Sequence, residues 1–262
     1  MNRIESFKLL IDNTAETFIG FGNPAARILI IGKECAAKEC KGKMKSNLGE
    51  KSKSCLGEKC ICYNNCDKEI RDNWLFTVHK NKEHWLKYFD DNCPEPERCI
   101  YPKPQDCRKD IFSPRFAFKG QLNIWDKGRC IGGTSLTWKR YQKLADAYYG
   151  RGPGLGFGEE LTFQDDCFIT ELSAEPKHKS DYSKETRESI QRRVDHFFNN
   201  DFFKGFDVVI AACKGYINLI DLESLFPESK IIVTNQLSRM HRKGYIKEIV
   251  DGMKKNERFI II

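Results

Sequence analysis

The sequence predicts an α/β protein, a three-layer α/β/α sandwich with a central parallel sheet of about four strands. The first observation behind this is a set of four short apolar runs of strand length: Arg27-Ile-Leu-Ile-Ile-Gly32, Asp166-Cys-Phe-Ile-Thr-Glu171, Asp207-Val-Val-Ile-Ala-Ala212 and Lys230-Ile-Ile-Val-Thr234. Their interiors are almost continuously apolar rather than alternating, the pattern of strands covered on both faces. The second observation is that stretches of helical periodicity separate them, as parallel neighbours require. The third is how the runs close. Glu34 follows the first, Glu171 ends the second, and Thr234 with Asn235 ends the fourth. In an open α/β sheet the ligand crevice lies outside the carboxyl ends of the strands, so these polar residues are expected along one edge.

Each element has its own local reason. Ile4, Phe7, Leu10 and Ile11 recur at helical spacing and predict an amphipathic helix at the start. The glycines and proline of Phe18-Ile-Gly-Phe-Gly-Asn-Pro24 break it and lead into the first strand. At Gly132-Gly-Thr-Ser, Thr134 or Ser135 caps a helix whose apolar face is Trp138, Tyr141, Leu144, Ala145 and Tyr148. The glycine-rich stretch 150–158 lacks a Gly-Lys-Ser/Thr ending and follows a helix rather than a strand, which argues against both nucleotide-binding loop motifs. A helix with Ile190, Val194, Phe197 and Phe198 on one face follows the second strand, a short helix begins near Tyr216, and a last one spans about Tyr245 to Lys255. Arg258-Phe-Ile-Ile-Ile262 reads either as an edge strand or as a terminal strap.

Between Ala37 and about Lys119 the alternation of strand and helix disappears. The chain is therefore expected to be one domain, 1–262, carrying a cysteine- and lysine-rich insertion at 37–119. A helix from about Asp67 to Phe89, with Trp74, His79, His84 and Trp85, is expected inside it. The insertion holds eight of the twelve cysteines, including Cys55, Cys60, Cys62 and Cys66. Those four offer enough soft ligands for a structural zinc, with an iron-sulfur cluster as the second choice; unligated thiols are the alternative, because no Cys-x2-Cys pair is present. No metal is expected to be required for catalysis.

Lysine and arginine outnumber aspartate and glutamate by 44 to 37, a net charge of +7, and the pI is near 8.7. That modest basic bias is compatible with a polyanionic partner. No apolar run approaches the ~20 residues that cross a bilayer, and Glu5 and Asp12 interrupt the first fourteen residues where a signal peptide needs an apolar core. The expectation is a soluble, cytoplasmic protein with no membrane partner.

The order of these strand-end motifs, over roughly Phe18–Ala36 and Gly132–Gly244, resembles the uracil-DNA glycosylase superfamily. In that superfamily the first strand ends in a Gly-x-Asp/Asn-Pro-like motif carrying the water-activating residue. Here Gly32-Lys33-Glu34-Cys35-Ala36 puts Glu34 at the acidic position without the proline. The second strand there ends in an Asn that pairs with uracil, and Glu171 stands in its place. An ionised carboxylate only accepts hydrogen bonds, which suits a base with an exocyclic amine better than uracil. The family's His-Pro-Ser-Pro-Leu-Ser loop is echoed by Thr234-Asn-Gln-Leu237-Ser238-Arg-Met-His241-Arg242, where the resemblance implies Leu237 as wedge and Ser238 as phosphate contact. The catalytic His is absent from its expected place, which leaves Asn235 and His241 as the polar candidates beside Glu34.

What the resemblance implies is a DNA glycosylase that flips its target base, in repair or in defence against phage DNA. Phe116, Phe118 or Trp125 would stack the base, Leu237 or Met240 would fill the gap, and Arg239, Arg242 and Lys243 would hold phosphates. The alternative is a catalytically inactive nucleic-acid-binding module of the same fold.

Overall fold

The computed structural model describes residues 2–33, 81–89, 124–126, 129–132, 136–152, 161–174, 182–237 and 244–262. Its elements in chain order are α1 (Arg3–Asn13), β1 (Phe21–Gly22), β2 (Ile28–Gly32), α2 (Asn81–Tyr88), β3 (Ile124–Asp126), β4 (Arg129–Gly132), α3 (Leu136–Tyr148), α4 (Phe163–Asp166), β5 (Cys167–Glu171), α5 (Lys184–Arg193), α6 (Asp201–Lys204), β6 (Val208–Ala211), α7 (Leu222–Leu225), β7 (Lys230–Val233), α8 (Tyr245–Lys254) and β8 (Phe259–Ile261). The protein is α/β, with a six-stranded sheet in the order β1-β5-β2-β6-β7-β8. All neighbours run parallel except β1, which pairs antiparallel with β5.

The four expected strands form the middle of this sheet, and both edges exceed the expectation. β8 resolves the tail as an edge strand, with Phe259 opposite Ile231 and Ile261 opposite Val233. β1 exists because Gly22 has a φ of +92° and lies so close to β5 that any Cβ there would overlap the Cys167 carbonyl.

Alternation along the strands divides the core in two. Leu29, Ile31, Phe168, Val209, Ala211, Ile231 and Val233 point to a first face, covered by α1, α2, α5, α6, α7 and the turns between them. Ile28, Ile30, Cys167, Ile169, Val208, Ile210 and Ile232 point to a second face, covered mainly by α3 and α8. The crossovers β5 to β6 and β6 to β7 both pass over the first face. The step from β7 to β8 moves in the same direction across the sheet but passes over the second face, so it has the opposite hand. That reversal sets α8 beside α3.

Two local features differ from the periodicity. The helix expected over Ile190–Phe198 leaves α-geometry after Arg193 and continues as a π-helical turn, Val194–Phe198, which buries Val194, Phe197 and Phe198 together. The segment near Tyr216 is a 3-10 turn, Lys214–Leu219. Of the helix expected over 67–89, the described part is α2, and it belongs to the core: Trp85 is buried against Phe7, with ring centroids 4.7 Å apart. No helix among the described residues is long and apolar enough to cross a membrane.

Candidate site at the carboxyl edge of the sheet

Taken in chain order, the four central parallel strands lie in the order second, first, third, fourth. Connections therefore leave β2 and β6 in opposite directions, and the crevice of the sheet falls between their carboxyl ends. The ladder is prolonged past the strands. Leu172 N–H donates to the Gly32 carbonyl at 2.9 Å and Ser173 N–H to the Lys33 carbonyl at 2.8 Å. On the other side Ala212 N–H donates to Ile31 at 2.8 Å and Lys214 N–H to Thr234 at 3.0 Å.

Glu171 is partly exposed, at the last position of β5 and opposite Gly32 in register. Its carboxylate lies across Gly32, where a Cβ would overlap it. Only glycine at that position lets the carboxylate occupy the strand end. By alternation Glu171 stands on the second face. On the first face, Lys33 Nζ sits 5.2 Å from the centroid of the buried Tyr216 ring, a cation–π contact. Tyr182 packs edge-on against Tyr216 at 5.4 Å and is 52% exposed. A Cβ on Gly215 would lie 2.8 Å from Lys33 Nζ and 2.9 Å from Tyr182 Oη, so amine and phenol converge over bare backbone. An acceptor, a cation and an exposed aromatic thus border one edge, with Glu171 on one side and Lys33 and Tyr182 on the other.

A buried arginine holds this edge in place. Arg193 is 1% exposed, and its Nε donates to the Glu171 carbonyl at 3.0 Å. One terminal nitrogen reaches the Phe18 carbonyl at 3.0 Å and Thr170 Oγ1 at 3.1 Å, while the other pairs with Glu16 at 3.1 Å. The guanidinium lies 3.8 Å above the Phe197 ring. A buried cation is tolerated only with partners of this kind, and here they include the backbone that aims Glu171.

Sequence reasoning placed Glu171 at the edge and missed Lys33, Tyr182 and Arg193. Arg193 had a signal: it lies three residues after Ile190 and four before Phe197, on the buried stripe of its helix. Asn235 is exposed just past β7. Leu237 corrects the sequence reading, because a wedge must be free to enter a base stack and this side chain is 1% exposed in the core of the second face. Its carbonyl accepts a hydrogen bond from Arg140 of α3. Trp125 lies on β3, which pairs with β4 in a two-stranded sheet separate from the main one, and its side chain lies outside the described residues. Glu34, Phe116, Phe118, Ser238, Arg239, Met240, His241, Arg242, Lys243 and the cysteines Cys55, Cys60, Cys62 and Cys66 also lie outside them.

Among the described residues no three His, Cys, Asp or Glu side chains gather to hold a metal. The cysteines described with their side chains, Cys167 and Cys213, are buried, and burial pushes the Cys167 thiol far above its ordinary range, which makes it inert. Comparison of the chain with protein-family models, with curated proteins and with solved structures gives no match.

Proposed function

We propose that the protein is a DNA glycosylase acting on a flipped base other than uracil, with a modified cytosine as the leading candidate and DNA as its partner in the cytoplasm. The observation that supports this reading is the Glu171 carboxylate laid across Gly32 at the carboxyl edge of the sheet. An acceptor fixed there, with its backbone held by Arg193, selects a donor on the ligand, and the exocyclic amine of a cytosine-type base supplies one. Tyr182 adds an exposed aromatic surface on which a base or its neighbour can stack. Glu34 is the residue after Lys33 in the sequence, two positions past the end of β2.

The chemistry asked of these groups is hydrolysis. The bond between C1′ and the base nitrogen breaks, the base leaves with the electron pair, and positive charge develops on the sugar. A carboxylate stabilises that charge and orients a water whose oxygen adds to C1′. The water's two hydrogens end on the base nitrogen and on the new hydroxyl. In this reading Glu34 serves the sugar, Glu171 reads the base, and Asn235 and His241 assist from the loop after β7.

The test is mass spectrometry of bases released from several genomic DNAs, heavily modified phage DNA among them. Glu34→Gln should retain DNA binding and lose base release by on the order of a hundredfold or more, the scale of removing one charge-stabilising group from an active site. Undiminished release would take Glu34 out of the mechanism. DNA binding with no base released from any substrate would leave the nucleic-acid-binding module as the function.

A further inference from the structure

The outer surface of the second face carries a groove that the edge site does not use. It lies between α3 and α8, has a volume of about 440 Å³, and is floored by Ala147, Ile246 and Val250. Lys143 and Lys247 stand on its two walls, both exposed, and neither has a carboxylate partner among the described residues. Lys139 is one helical turn above Lys143 on the same side of α3. Burial lowers the pKa of Lys139, and the neighbouring charge of Lys143 lowers it further, as expected where cations crowd without a counter-charge. Of the other charges at the groove, Arg151 is held by Asp146, at 3.3 Å, and by Asp166, so that cluster carries one carboxylate charge in excess, and its members pair with one another rather than with the lysines. Lys139, Lys143 and Lys247 thus form a row with no ion pair among the described residues, beside an apolar floor.

The direction of the row matters. α3 leads into the start of β5 and α8 leaves the end of β7, so both helices begin at the carboxyl edge of the sheet and run away from it. Lys139 and Lys247 both lie in the first turns of these helices, on the same face of the sheet as Glu171, with Lys143 one turn further on. We infer that the groove between α3 and α8 is a track for the phosphate backbone of a nucleic-acid strand leaving the edge site, with Lys139, Lys143 and Lys247 as its cations. The occupant follows from charge complementarity: a linear polyanion matches cations spaced along two parallel helices and needs no donor-reading groups on the floor. This deepens the reading of the edge as a nucleic-acid site and rests on it.

The measurement is the salt dependence of binding of a fluorescently labelled, unmodified single-stranded thymine oligonucleotide to the full chain, followed by anisotropy. Each phosphate contact on a single strand contributes about 0.7 to the slope of log affinity against log salt. Lys143→Gln with Lys247→Gln should therefore flatten the slope by about 1.4, so the affinity gap to the unsubstituted protein narrows about sevenfold between roughly 50 and 200 mM salt. Lys8→Gln with Lys184→Gln removes two exposed lysines from the first-face side and should leave the slope unchanged. No binding by the unsubstituted protein, a groove variant with the original slope, or equal flattening in the control pair would each overturn the track. So would polyglutamate displacing the probe as well as unlabelled oligonucleotide does, since that would point to an acidic polypeptide partner. Base release separates this from the glycosylase reading. Release with an unflattened slope removes the track alone, and a flattened slope without release from any DNA keeps the track and removes the glycosylase.

Discussion

The two faces of the sheet are closed in different ways. The first is sealed by many short pieces, and aromatic rings join them: Phe7 meets Trp85, Phe168 and Phe202, while Phe197, Phe198 and Phe203 form a second group. The second is closed mainly by two longer helices whose buried stripes carry Trp138, Tyr141, Leu144, Ile249 and Met253. Interlocked rings from elements distant in sequence give a rigid wall. Two parallel helices leave a seam between them, and a seam can be lined with charge. The first face therefore holds the edge in position, and the second carries both Glu171 and the lysine row.

The sharpest way to break this contrast is at Trp85. Trp85→Ala should cost about 3–5 kcal/mol of stability, the usual penalty for emptying a buried aromatic site. Urea unfolding measures it, and a loss below about 1 kcal/mol would show that α2 is an ornament rather than part of the wall. Next comes Leu237, on the second face. As a core residue it should lose about 2–5 kcal/mol on replacement by alanine. If stability holds while base release falls, Leu237 swings out on DNA and the second face is less fixed than its burial shows. The smallest expected effect is at Glu171. Glu171→Asn should reduce the preference for a base with an exocyclic amine by about 1–3 kcal/mol, roughly tenfold to a hundredfold. The ratio of release from matched oligonucleotides containing cytosine, a 5-modified cytosine or uracil reads this out, and an unsubstituted protein that prefers uracil would remove Glu171 as base reader.

The central strands were legible because each is a nearly unbroken apolar run, a pattern that leaves little else for Ile28–Ile31 or Val208–Ala211 to do. The edge strands were harder. β1 is only two residues long and owes its existence to a glycine contact across the sheet, and β8 is legible as apolar but not as paired. Glu171 could be placed because a strand end is a topological fact. Lys33 and Tyr182 could not, since their convergence over Gly215 depends on three segments meeting in space. Arg193 was obscured by its charge: a cation on a helix is ordinarily solvated, and its burial depends on partners brought in by the fold, Glu16, Phe18, Thr170 and Glu171 among them.

Asn81 and Trp85 have a consequence for the polymer physics of the chain. Asn81 accepts from the N–H groups of Ile19 and Gly20 and donates to the Gly20 carbonyl, and the Trp85 indole donates to that same carbonyl. The long stretch between β2 and α3 thus touches down on the body of the protein near its midpoint, becoming two excursions of similar length instead of one. Closure entropy of a chain segment grows only with the logarithm of its length, so length by itself is a weak constraint on where a segment is anchored. Both halves depend on the same anchor, whatever their length. The single turn at Asn81–Trp85, by contrast, has almost no freedom to change.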